Sequence, residues 1–453
     1  MNSLTARKAR LSLSEVAKGF RVDPIGIMTQ LQHEYGDFIM IQVMPGLVNY
    51  VIFSPELAYD ILVKRPEQFQ KPVLAKRMLK SSFGNGIFFS EGTFWRRQRK
   101  LAQPAFNHAR IHVYANDMVA NTQKMLERWQ TNPQIDLAKE MHALTLVIVV
   151  NALFKTDISG LTDTIGQAMG ELTAVAGEQA TSMLHLMLPS WLPTSINQRK
   201  QRAVDILNPI IYKLLADQRA STVDKGDLLS MFLQAVDEET GERMTDLQVR
   251  DELMTMFIAG HDTSANALAW TLVELARHPE IEAKLHAEVD SVLGGRAPQL
   301  SDVPLLPYTQ NVIKEALRMY PPAVFIARQP LSPLHIGASS VPKTALINII
   351  PYMIQRDSRW FDDPNSFNPD RFTADFEKQL PKCTYFPFGA GPRICIGNGF
   401  AMLEMQLVLA TIVQRYQLSF VPGQAPVEPK FDLTLGFKQT VRMQIAERIP
   451  VAG

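Results

Sequence analysis

The apolar residues of the chain recur mostly at the three- and four-residue spacing of helices. From about residue 111 to residue 215 this spacing predicts one helix after another. A longer helix is predicted to begin at a capping-box pattern, Thr245 with Gln248, and to end near Arg277, before Pro279. At about 30 residues it is the longest helix predicted, so we expect it to cross the core.

Strand patterns are short and lie apart from these helices. Apolar residues alternate with turn residues in three places, which predicts a hairpin or small sheet, a second small sheet and a final hairpin at residues 38–53, 324–350 and 431–437. Residues 55–65 favour a helix, whereas residues 71–90 mix apolar residues with glycines and indicate a long irregular loop. The predicted fold class is mainly α with small β-sheets.

Composition adds few constraints on partners. The chain has 453 residues, 46% of them hydrophobic, and a net charge of +1, so its charge gives no argument for nucleic acid or a membrane surface. No linker or repeat divides it, which favours one domain over residues 1–453 with no fused reductase and no membrane anchor. Only two cysteines, Cys383 and Cys395, favour a reducing compartment, and we expect a cytoplasmic monomer.

Three further segments have compositions that bear on membrane, targeting or lid roles. The densest apolar run, residues 144–150, is too short for a membrane span and indicates a buried helix. Residues 1–14 are basic and free of acidic residues, which is faintly typical of a transit peptide, although a cytoplasmic protein is favoured. Residues 181–193 form a soft apolar connector that fits either a lid over a pocket or the end of a core helix.

The centre of the long helix breaks local rules. It reads Ala259-Gly-His-Asp-Thr263, where Gly260 costs about 1 kcal/mol relative to alanine and Asp262 and Thr263 place polar groups in the core. One interpretation is that the Thr263 hydroxyl bonds back to the Ala259 carbonyl and only bends the helix. The other is that the bend opens a groove for a small ligand beside an acid–alcohol pair.

A glycine-rich segment, residues 386–399, surrounds a single cysteine. Cys395 precedes a helix predicted from about residue 398 to residue 416, so the helix N-terminus and Arg393 favour its thiolate form. Taken alone, a cysteine near glycines is usually a buried structural residue. The spacing is more specific, because it fixes Phe388, Gly391, Arg393, Cys395 and Gly397 within ten residues.

This spacing resembles the haem-ligand loop of the cytochrome P450 family. The resemblance, and not the residues by themselves, implies that Cys395 binds the iron of haem b as a thiolate and pushes electron density toward O–O cleavage. It also implies that Ala259-Gly-x-Asp-Thr263 is the oxygen-activation groove, in which Asp262 and Thr263 deliver protons. Phe388, Gly389, Gly397, Ala259 and Gly260 would then lie beside the haem.

Other motifs acquire roles from the same resemblance. A Trp-x-x-x-Arg helix, here Trp95 and Arg99, contacts a haem propionate in the family, and so do residues matching Arg328 and Arg393. Glu315 and Arg318 alone would be an ordinary surface ion pair, but the family joins such a pair to the arginine that matches Arg371 in one buried network. The remaining cations of the Trp95 helix, Arg96, Arg97 and Lys100, leave a basic surface patch that we expect to dock an acidic redox partner.

The resemblance implies insertion of one oxygen atom from O2 into a lipophilic substrate. We expect the pocket to be lined by Phe83, Ile87, Phe88, Ala259, Val324, Phe325, Ile326, Leu435 and Phe437. Fatty acids are one candidate substrate class beside terpenoids and other lipophiles. A covalently attached haem is not expected, because the glutamate that bonds to haem in one animal branch is Ala259 here.

Electrons are expected from a separate ferredoxin or flavodoxin and its NAD(P)H reductase, as in the soluble bacterial members. Two alternatives remain at this point. A peroxide-driven haem-thiolate enzyme or isomerase is disfavoured by the Asp262–Thr263 pair, and a haem sensor without turnover is disfavoured by the large apolar lining.

Overall fold

The computed structural model describes residues 4–10, 15, 19, 22–44, 47–107, 111–155, 160–181, 192–221, 226–431 and 433–448. The predicted lid at residues 181–193 lies almost entirely outside the described residues, and so does part of the basic segment 1–14.

Helices dominate the described chain. In chain order they are α1 (Pro24–Tyr35), α2 (Pro55–Tyr59), α3 (Val73–Phe83), α4 (Gly92–Ala102), α5 (Ala115–Trp129), α6 (Leu137–Phe154), α7 (Thr162–Thr181), α8 (Ser195–Ala220), α9 (Leu228–Gln234), α10 (Asp246–Arg277), α11 (Pro279–Leu293), α12 (Pro307–Met319), α13 (Pro351–Ile354), α14 (Ala374–Gln379) and α15 (Asn398–Arg415). The π-helical turn Asp60–Lys64 continues α2, and short 3₁₀ turns lie at Pro66–Gln68, Gln103–Phe106, His112–Tyr114, Leu300–Leu305, Pro369–Arg371 and Gly391–Arg393.

The strands are short. They are β1 (Arg7–Lys8), β2 (Phe38–Met44), β3 (Leu47–Ile52), β4 (Phe69–Gln70), β5 (Gln134–Asp136), β6 (Ile326–Pro330), β7 (Leu334–Ile336), β8 (Ser339–Val341), β9 (Leu346–Ile349), β10 (Tyr416–Phe420), β11 (Pro429–Phe431), β12 (Leu435–Phe437) and β13 (Arg442–Glu447). The mainly α fold with small β-sheets is confirmed.

The chain divides into two compact units. The first unit contains Met1–Arg77 and Leu317–Cys395, and the second contains Met78–Ala316 and Ile396–Gly453. The prediction of one domain over residues 1–453 stays a prediction.

A six-stranded sheet with the order β1-β2-β3-β9-β6-β4 forms the centre of the first unit. The predicted hairpin at residues 38–53 provides β2 and β3, and its second strand pairs in parallel with β9, so that Ile52 lies opposite Ile349. Strand β6 pairs antiparallel to β9 and places Ile326 opposite Ile349. Apolar side chains of these strands, among them Phe38 and Ile347, form one buried cluster with Phe386.

Helices make up most of the second unit, with α10 packed most extensively against α6. The capping box predicted at its start is present, because the Thr245 hydroxyl accepts the Gln248 N–H and the Gln248 side chain accepts the Thr245 N–H. The helix ends at Arg277, where predicted, and at 32 residues it is the longest described helix. Strands β11 and β12 form the predicted final hairpin as an antiparallel pair.

The prediction of an irregular loop over residues 71–90 is wrong for its first half. Residues Val73–Phe83 form α3, which starts after Pro72 and contains several residues of high helix propensity. The glycines of residues 84–90 dominated the sequence pattern, but they begin only where the helix has ended. Gly84 has a φ of 80°, which ends the helix in the left-handed region.

Helix α6 contains the apolar run of residues 144–150. Among the described residues it is the one helix long and apolar enough to cross a membrane, and 61% of it is buried inside the protein. A buried core helix passes the same test of length and composition, so this helix is weak evidence for a membrane span.

Candidate active site

The cysteine loop of the first unit is held by its own backbone and by glycines in the left-handed region. The Cys395 N–H donates to the Phe388 carbonyl oxygen at 2.9 Å. Gly389 and Gly391 have φ values of 76° and 71°. A Cβ on Gly391 would lie 1.9 Å from the carbonyl oxygen of Leu62, so only glycine fits there.

This loop fits a ligand that needs an anionic sulfur. Cys395 is exposed, and α15 begins at Asn398, three residues later. Gly397 offers no side chain to cap the N-terminus of α15, and the Gly399 N–H donates to the Asn398 side-chain oxygen at 2.7 Å. The helix dipole stabilises a nearby thiolate, which is the form that binds haem iron.

Cys383 has the opposite environment. Its side chain is buried, and burial raises the pKa of the Cys383 thiol to about 11. It therefore stays protonated near neutral pH and is a poor metal ligand. Of the two cysteines in the sequence, Cys395 is the one placed to act as a thiolate.

Strand β6 lies beside this loop. It and the residues just before it are predicted to contact a haem propionate and the substrate. Arg328 is half-buried on β6, and its Nη1 donates to the Ala327 carbonyl at 2.9 Å. Val324 is buried, Ile326 is half-buried and Phe325 is 51% exposed. Arg393 lies in the 3₁₀ turn directly before Cys395. These roles stay predictions.

For the arginines of the predicted three-charge network, the structure describes hydrogen bonds to backbone carbonyls. Arg318 is completely buried, and its guanidinium donates to the backbone carbonyls of Gln355, Pro364 and Ser366 at 2.8–3.2 Å. Arg371 also donates to the Ser366 carbonyl, at 3.4 Å. Both arginines therefore hold one loop through its carbonyls, and the buried Glu315 lies one helical turn before Arg318 on α12. A single network of Glu315, Arg318 and Arg371 stays a prediction.

Gln355 is an organising residue that the sequence did not reveal. Its buried side-chain amide donates to the carbonyls of Leu317 and Arg318 at 3.0 and 3.1 Å, and its oxygen accepts the Phe386 N–H at 2.9 Å. It thus connects the end of α12 to the start of the cysteine loop. A lone glutamine directly after the short helix α13 gives no signal of this role.

In the second unit, the centre of α10 contains the back-bond that the sequence left open, while the opening of a groove for a small ligand stays a prediction. The Thr263 hydroxyl donates to the Ala259 carbonyl at 2.7 Å, as the structural interpretation predicts. A Cβ on Gly260 would lie 2.9 Å from a methyl of Val149, so glycine also permits close packing of α6 on α10. The Thr145 hydroxyl of α6 donates to the His261 carbonyl at 2.9 Å.

Asp262 lies on a polar face of α10 that holds the final hairpin. Its carboxylate accepts a hydrogen bond from the Thr434 hydroxyl, which in turn accepts from the Asn266 amide at 3.0 Å. One turn further on, the Trp270 indole donates to the Leu435 carbonyl at 3.1 Å and stacks on Phe437 with 4.3 Å between the ring centroids. Four-residue spacing places all three helix residues on one side.

Two histidines complete the surroundings of Asp262. His142 of α6 has its Nδ1 3.7 Å from Asp262 Oδ1. His261 is buried, and its Nδ1 lies 2.8 Å from the Phe257 carbonyl oxygen. Burial lowers the pKa of His142, and the charge of Asp262 offsets part of that effect.

Two carboxylates of α10 fix the segment from Phe83 to Phe89, a role that the sequence analysis missed. Asp251 accepts the Asn85 N–H at 2.7 Å, and Glu252 accepts the Ile87 N–H at 3.0 Å. A Cβ on Gly84 would lie 2.0 Å from an oxygen of Asp251, so the close approach of the segment requires glycine. Acidic residues on a helix usually face water, which is why their partners could not be predicted.

The predicted pocket residues of the second unit differ in exposure. Phe88 is 48% exposed, Ile87 is 7% exposed, and the side chains of Phe83 and Leu435 are completely buried. The rings of Phe83 and Phe89 stack with their centroids 5.9 Å apart. The assignment of these residues to a substrate pocket stays a prediction.

Because Glu252 is buried, we predict that the stability of the folded protein depends on pH. Burial raises the pKa of Glu252 from 4.5 to about 8. The folded protein therefore holds this proton more tightly than the unfolded chain does, and stabilisation that is complete below pH 4.5 is lost as the pH rises to about 8. Glu252→Gln keeps an oxygen for the Ile87 N–H and removes the titration. We expect the thermal unfolding midpoint of the wild type to fall more steeply over this range than that of Glu252→Gln.

Glu56→Gln, at an exposed site, serves as the control for this comparison and should follow the wild type. Equal slopes for the wild type and Glu252→Gln would mean that Glu252 is already ionised in the folded protein.

The helix with Trp95 and Arg99 is α4, as predicted. Both side chains are half-buried, and Trp95 packs against the apolar core of the second unit. Their four-residue spacing puts them on one side of the helix. Contact with a haem propionate stays a prediction.

The predicted basic patch is wrong for two of its three residues. Arg97 pairs with Asp237 at 2.9 Å and with Glu242 at 3.1 Å, and Lys100 pairs with Glu238 at 3.1 Å. The acidic turn after α9 therefore neutralises this side of α4. These acids lie about 140 residues away in the chain, so local sequence could not reveal the pairing.

Comparison with known proteins fits this arrangement. The family profile described as Cytochrome P450 matches residues 15–442. Cyclooctatin synthase from Streptomyces melanosporofaciens is 39% identical over 410 residues, which cover 89% of this chain and 87% of the relative. Cyclooctat-9-en-7-ol 5-monooxygenase from the same organism is 34% identical over 390 residues, 86% of this chain and 84% of the relative. Pentalenene oxygenase from Streptomyces avermitilis is 32% identical over 428 residues, 94% of each chain.

A match over most of the chain, together with the cysteine loop and the Asp262–Thr263 pair, leads to one assignment. The chain belongs to the cytochrome P450 family of haem-thiolate monooxygenases, whose cofactor is haem b.

Proposed function

We propose that this protein inserts one oxygen atom from O2 into a terpenoid, with Cys395 as the residue whose thiolate would hold haem b. The observation that carries the proposal is the acid–alcohol pair at the centre of α10, where Asp262 is 7% exposed and Thr263 is half-buried. Peroxide-driven haem-thiolate enzymes lack such a pair. Reduction of O2 needs protons in an apolar site, and this pair can supply them.

Each group of residues then has one task. When bound, the haem supplies the iron centre on which O2 is reduced and split. Cys395 provides the anionic sulfur ligand, and Phe388, Gly389 and Gly397 shape the loop around it. The Thr263 hydroxyl, which bonds to the Ala259 carbonyl at 2.7 Å, would pass on protons that Asp262 holds at its carboxylate.

Cationic and indole N–H groups would hold the haem propionates. Trp95 and Arg99 of α4, with Arg328 and Arg393 of the first unit, are the residues we assign to this role. Guanidinium groups suit carboxylates because they offer paired donors in one plane. The carbonyl-bound Arg318 and Arg371 are not free for it, since they hold the loop at Ser366.

The relatives support a terpenoid substrate over a fatty acid. The three Streptomyces relatives are terpenoid-modifying enzymes by their names, and each covers more than four-fifths of this chain. Within the second unit, the large apolar side chain of Phe88 is 48% exposed and offers surface for such an apolar molecule.

We further propose that electrons come from a separate ferredoxin or flavodoxin with its NAD(P)H reductase, and that the protein works as a cytoplasmic monomer. The similarity to bacterial members of the family supports separate partners. The neutralised side of α4 is an unsuitable docking surface, because its cations already have acidic partners.

A binding screen tests the substrate class. A substrate that displaces the water on the iron shifts the spin state of the haem, which absorption spectra report. We expect cyclic terpene hydrocarbons and terpene alcohols to produce this shift at lower concentration than fatty acids of equal carbon number. Stronger shifts with fatty acids would overturn the terpenoid assignment and leave the monooxygenase assignment intact.

A further inference from the structure

Asp262 needs a neighbour that supplies its protons. Its side chain is buried, with only about a tenth of its surface exposed, so exchange with bulk water at the carboxylate is restricted. A group that hands on protons in every turnover must regain them. The side chains packed around Asp262 therefore decide how it is recharged.

The hydrogen bonds to the final hairpin cannot bring new protons to Asp262. Thr434 directs its one hydroxyl hydrogen at Asp262 and accepts from the Asn266 amide. A carboxamide does not release protons near neutral pH, so this chain of hydrogen bonds ends at Asn266.

Two other acid–base groups are shielded from water. His261 is buried on α10, and its Nδ1 lies 2.8 Å from the Phe257 carbonyl oxygen. Glu404 of α15, near Ser264, is completely buried, and burial raises its pKa to about 8. Neither reaches solvent with its own side chain.

His142 is both partly exposed to solvent and close to Asp262. Its side chain is 35% exposed, while its Nδ1 lies 3.7 Å from Asp262 Oδ1. An approach of about 1 Å would bring the nitrogen and the carboxylate oxygen into hydrogen-bond reach.

We propose that His142 is a positioning residue that carries protons from solvent to Asp262. In each transfer the neutral ring, with its proton on Nδ1, first takes a proton from hydronium at Nε2. The Nδ1–H bond then breaks as an O–H bond forms at Asp262 Oδ1, which leaves the neutral ring with its proton on Nε2. Exchange with water returns the ring to its Nδ1–H form, so the net change is one proton moved from solvent to Asp262. This inference rests on the proposed role of Asp262 in oxygen activation.

The charged groups around His142 favour proton transfer to Asp262. Burial lowers the pKa of His142 and is opposed chiefly by Asp262, with His261 lowering it further and Asp136 raising it. A ring with a lowered pKa gives up its proton more readily, which favours transfer to the carboxylate. Histidine is also the residue type whose charge changes between about pH 5 and 8.

Kinetics of the reconstituted enzyme give the first test. In His142→Gln we expect product per reducing equivalent to fall about three- to tenfold with more peroxide released, the loss being limited because water can replace the ring. Product formation by the wild type should decline as the pH rises through the His142 pKa, and this dependence should vanish in the variant. Turnover with added hydrogen peroxide, which brings its own protons, should stay unchanged.

The matched control is His286→Gln. His286 is also largely buried, with a pKa lowered to about 4 by burial, but it lies beside Glu282 on α11. This variant should couple like the wild type.

A titration that needs no turnover gives the second test. The protein has nine histidines, and nitrogen-15 NMR of the reduced carbon-monoxide complex can follow each, with His142→Gln assigning the signal. Asp262→Asn should lower the measured pKa of His142, because the carboxylate charge that raises it is gone. An unchanged pKa would show that the two groups do not interact, and the relay would be wrong.

Thr263→Ala separates failure of the relay from failure of the proposed function. If Thr263→Ala uncouples turnover while His142→Gln behaves like His286→Gln, the relay alone is wrong. If both Thr263→Ala and His142→Gln couple like the wild type, the oxygen-activation role of the Asp262–Thr263 pair is wrong, and the relay falls with it.

Discussion

Replacing Cys395 by serine should abolish the strongly red-shifted carbon-monoxide band of the reduced protein. A serine hydroxyl does not ionise near neutral pH, even with the N-terminus of α15 three residues away. The iron would lose its anionic sulfur ligand and, with it, monooxygenase turnover. The measurement is the difference spectrum of the reduced protein with and without carbon monoxide, on samples whose haem content has been matched.

Cys383→Ser is the matched control, because it makes the same chemical change at the other cysteine. Burial holds Cys383 as a thiol, so this variant should keep the red-shifted band. A band that survives in Cys395→Ser, or disappears in Cys383→Ser, would place the ligand elsewhere.

The second large effect is expected from Thr263→Ala. The substitution removes one hydroxyl and one methyl from a helix that remains packed against α6, so haem content and substrate binding should be nearly unchanged. Reductant and O2 should still be consumed, but product per reductant should fall by about tenfold or more, with hydrogen peroxide released in its place. The measurement is product, reductant and peroxide in the same reaction.

Helix α10 contains its own control for this substitution. The Thr271 hydroxyl donates to the Ala267 carbonyl at 2.7 Å, the same back-bond at the same distance as that from Thr263 to Ala259. Thr271→Ala therefore removes an equivalent bond two turns further along the helix. Equal coupling in Thr263→Ala, Thr271→Ala and the wild type would mean that Thr263 only shapes the helix.

What the sequence could predict was local or periodic. The capping box at Thr245 and the termination near Arg277 depend on residues within one turn of each helix end, so α10 was placed correctly. The loop around Cys395 was recognisable because its backbone needs glycines at fixed positions. Gly391, pressed against the Leu62 carbonyl, is an example of such a requirement.

What the sequence could not predict depends on partners far apart in the chain. Arg97 was assigned to a basic surface, but Asp237 and Glu242 fold against it. Glu252 gives no distinctive signal in the sequence, because its partner, the Ile87 N–H, lies on a distant segment of the chain. Pairing between distant segments is decided by tertiary packing, which periodicity within one segment does not record.

The surroundings of Asp262 show the same limit within the candidate site. The acid–alcohol pair itself was visible as a broken rule in mid-helix. Its neighbours His142 and Thr434 were not, since an isolated histidine or threonine on another element has no distinctive spacing. The identity of the pair was therefore predictable, and the means of supplying it with protons was not.

The most direct test of the account is turnover of a terpenoid substrate under oxygen-18 gas, with a ferredoxin or flavodoxin reducing system and mass analysis of the product. The account predicts that one atom of oxygen-18 enters the product and that the other leaves as water. A product without the label, or an isomerised product that has gained no oxygen, would contradict the assignment of this protein as a monooxygenase that activates O2.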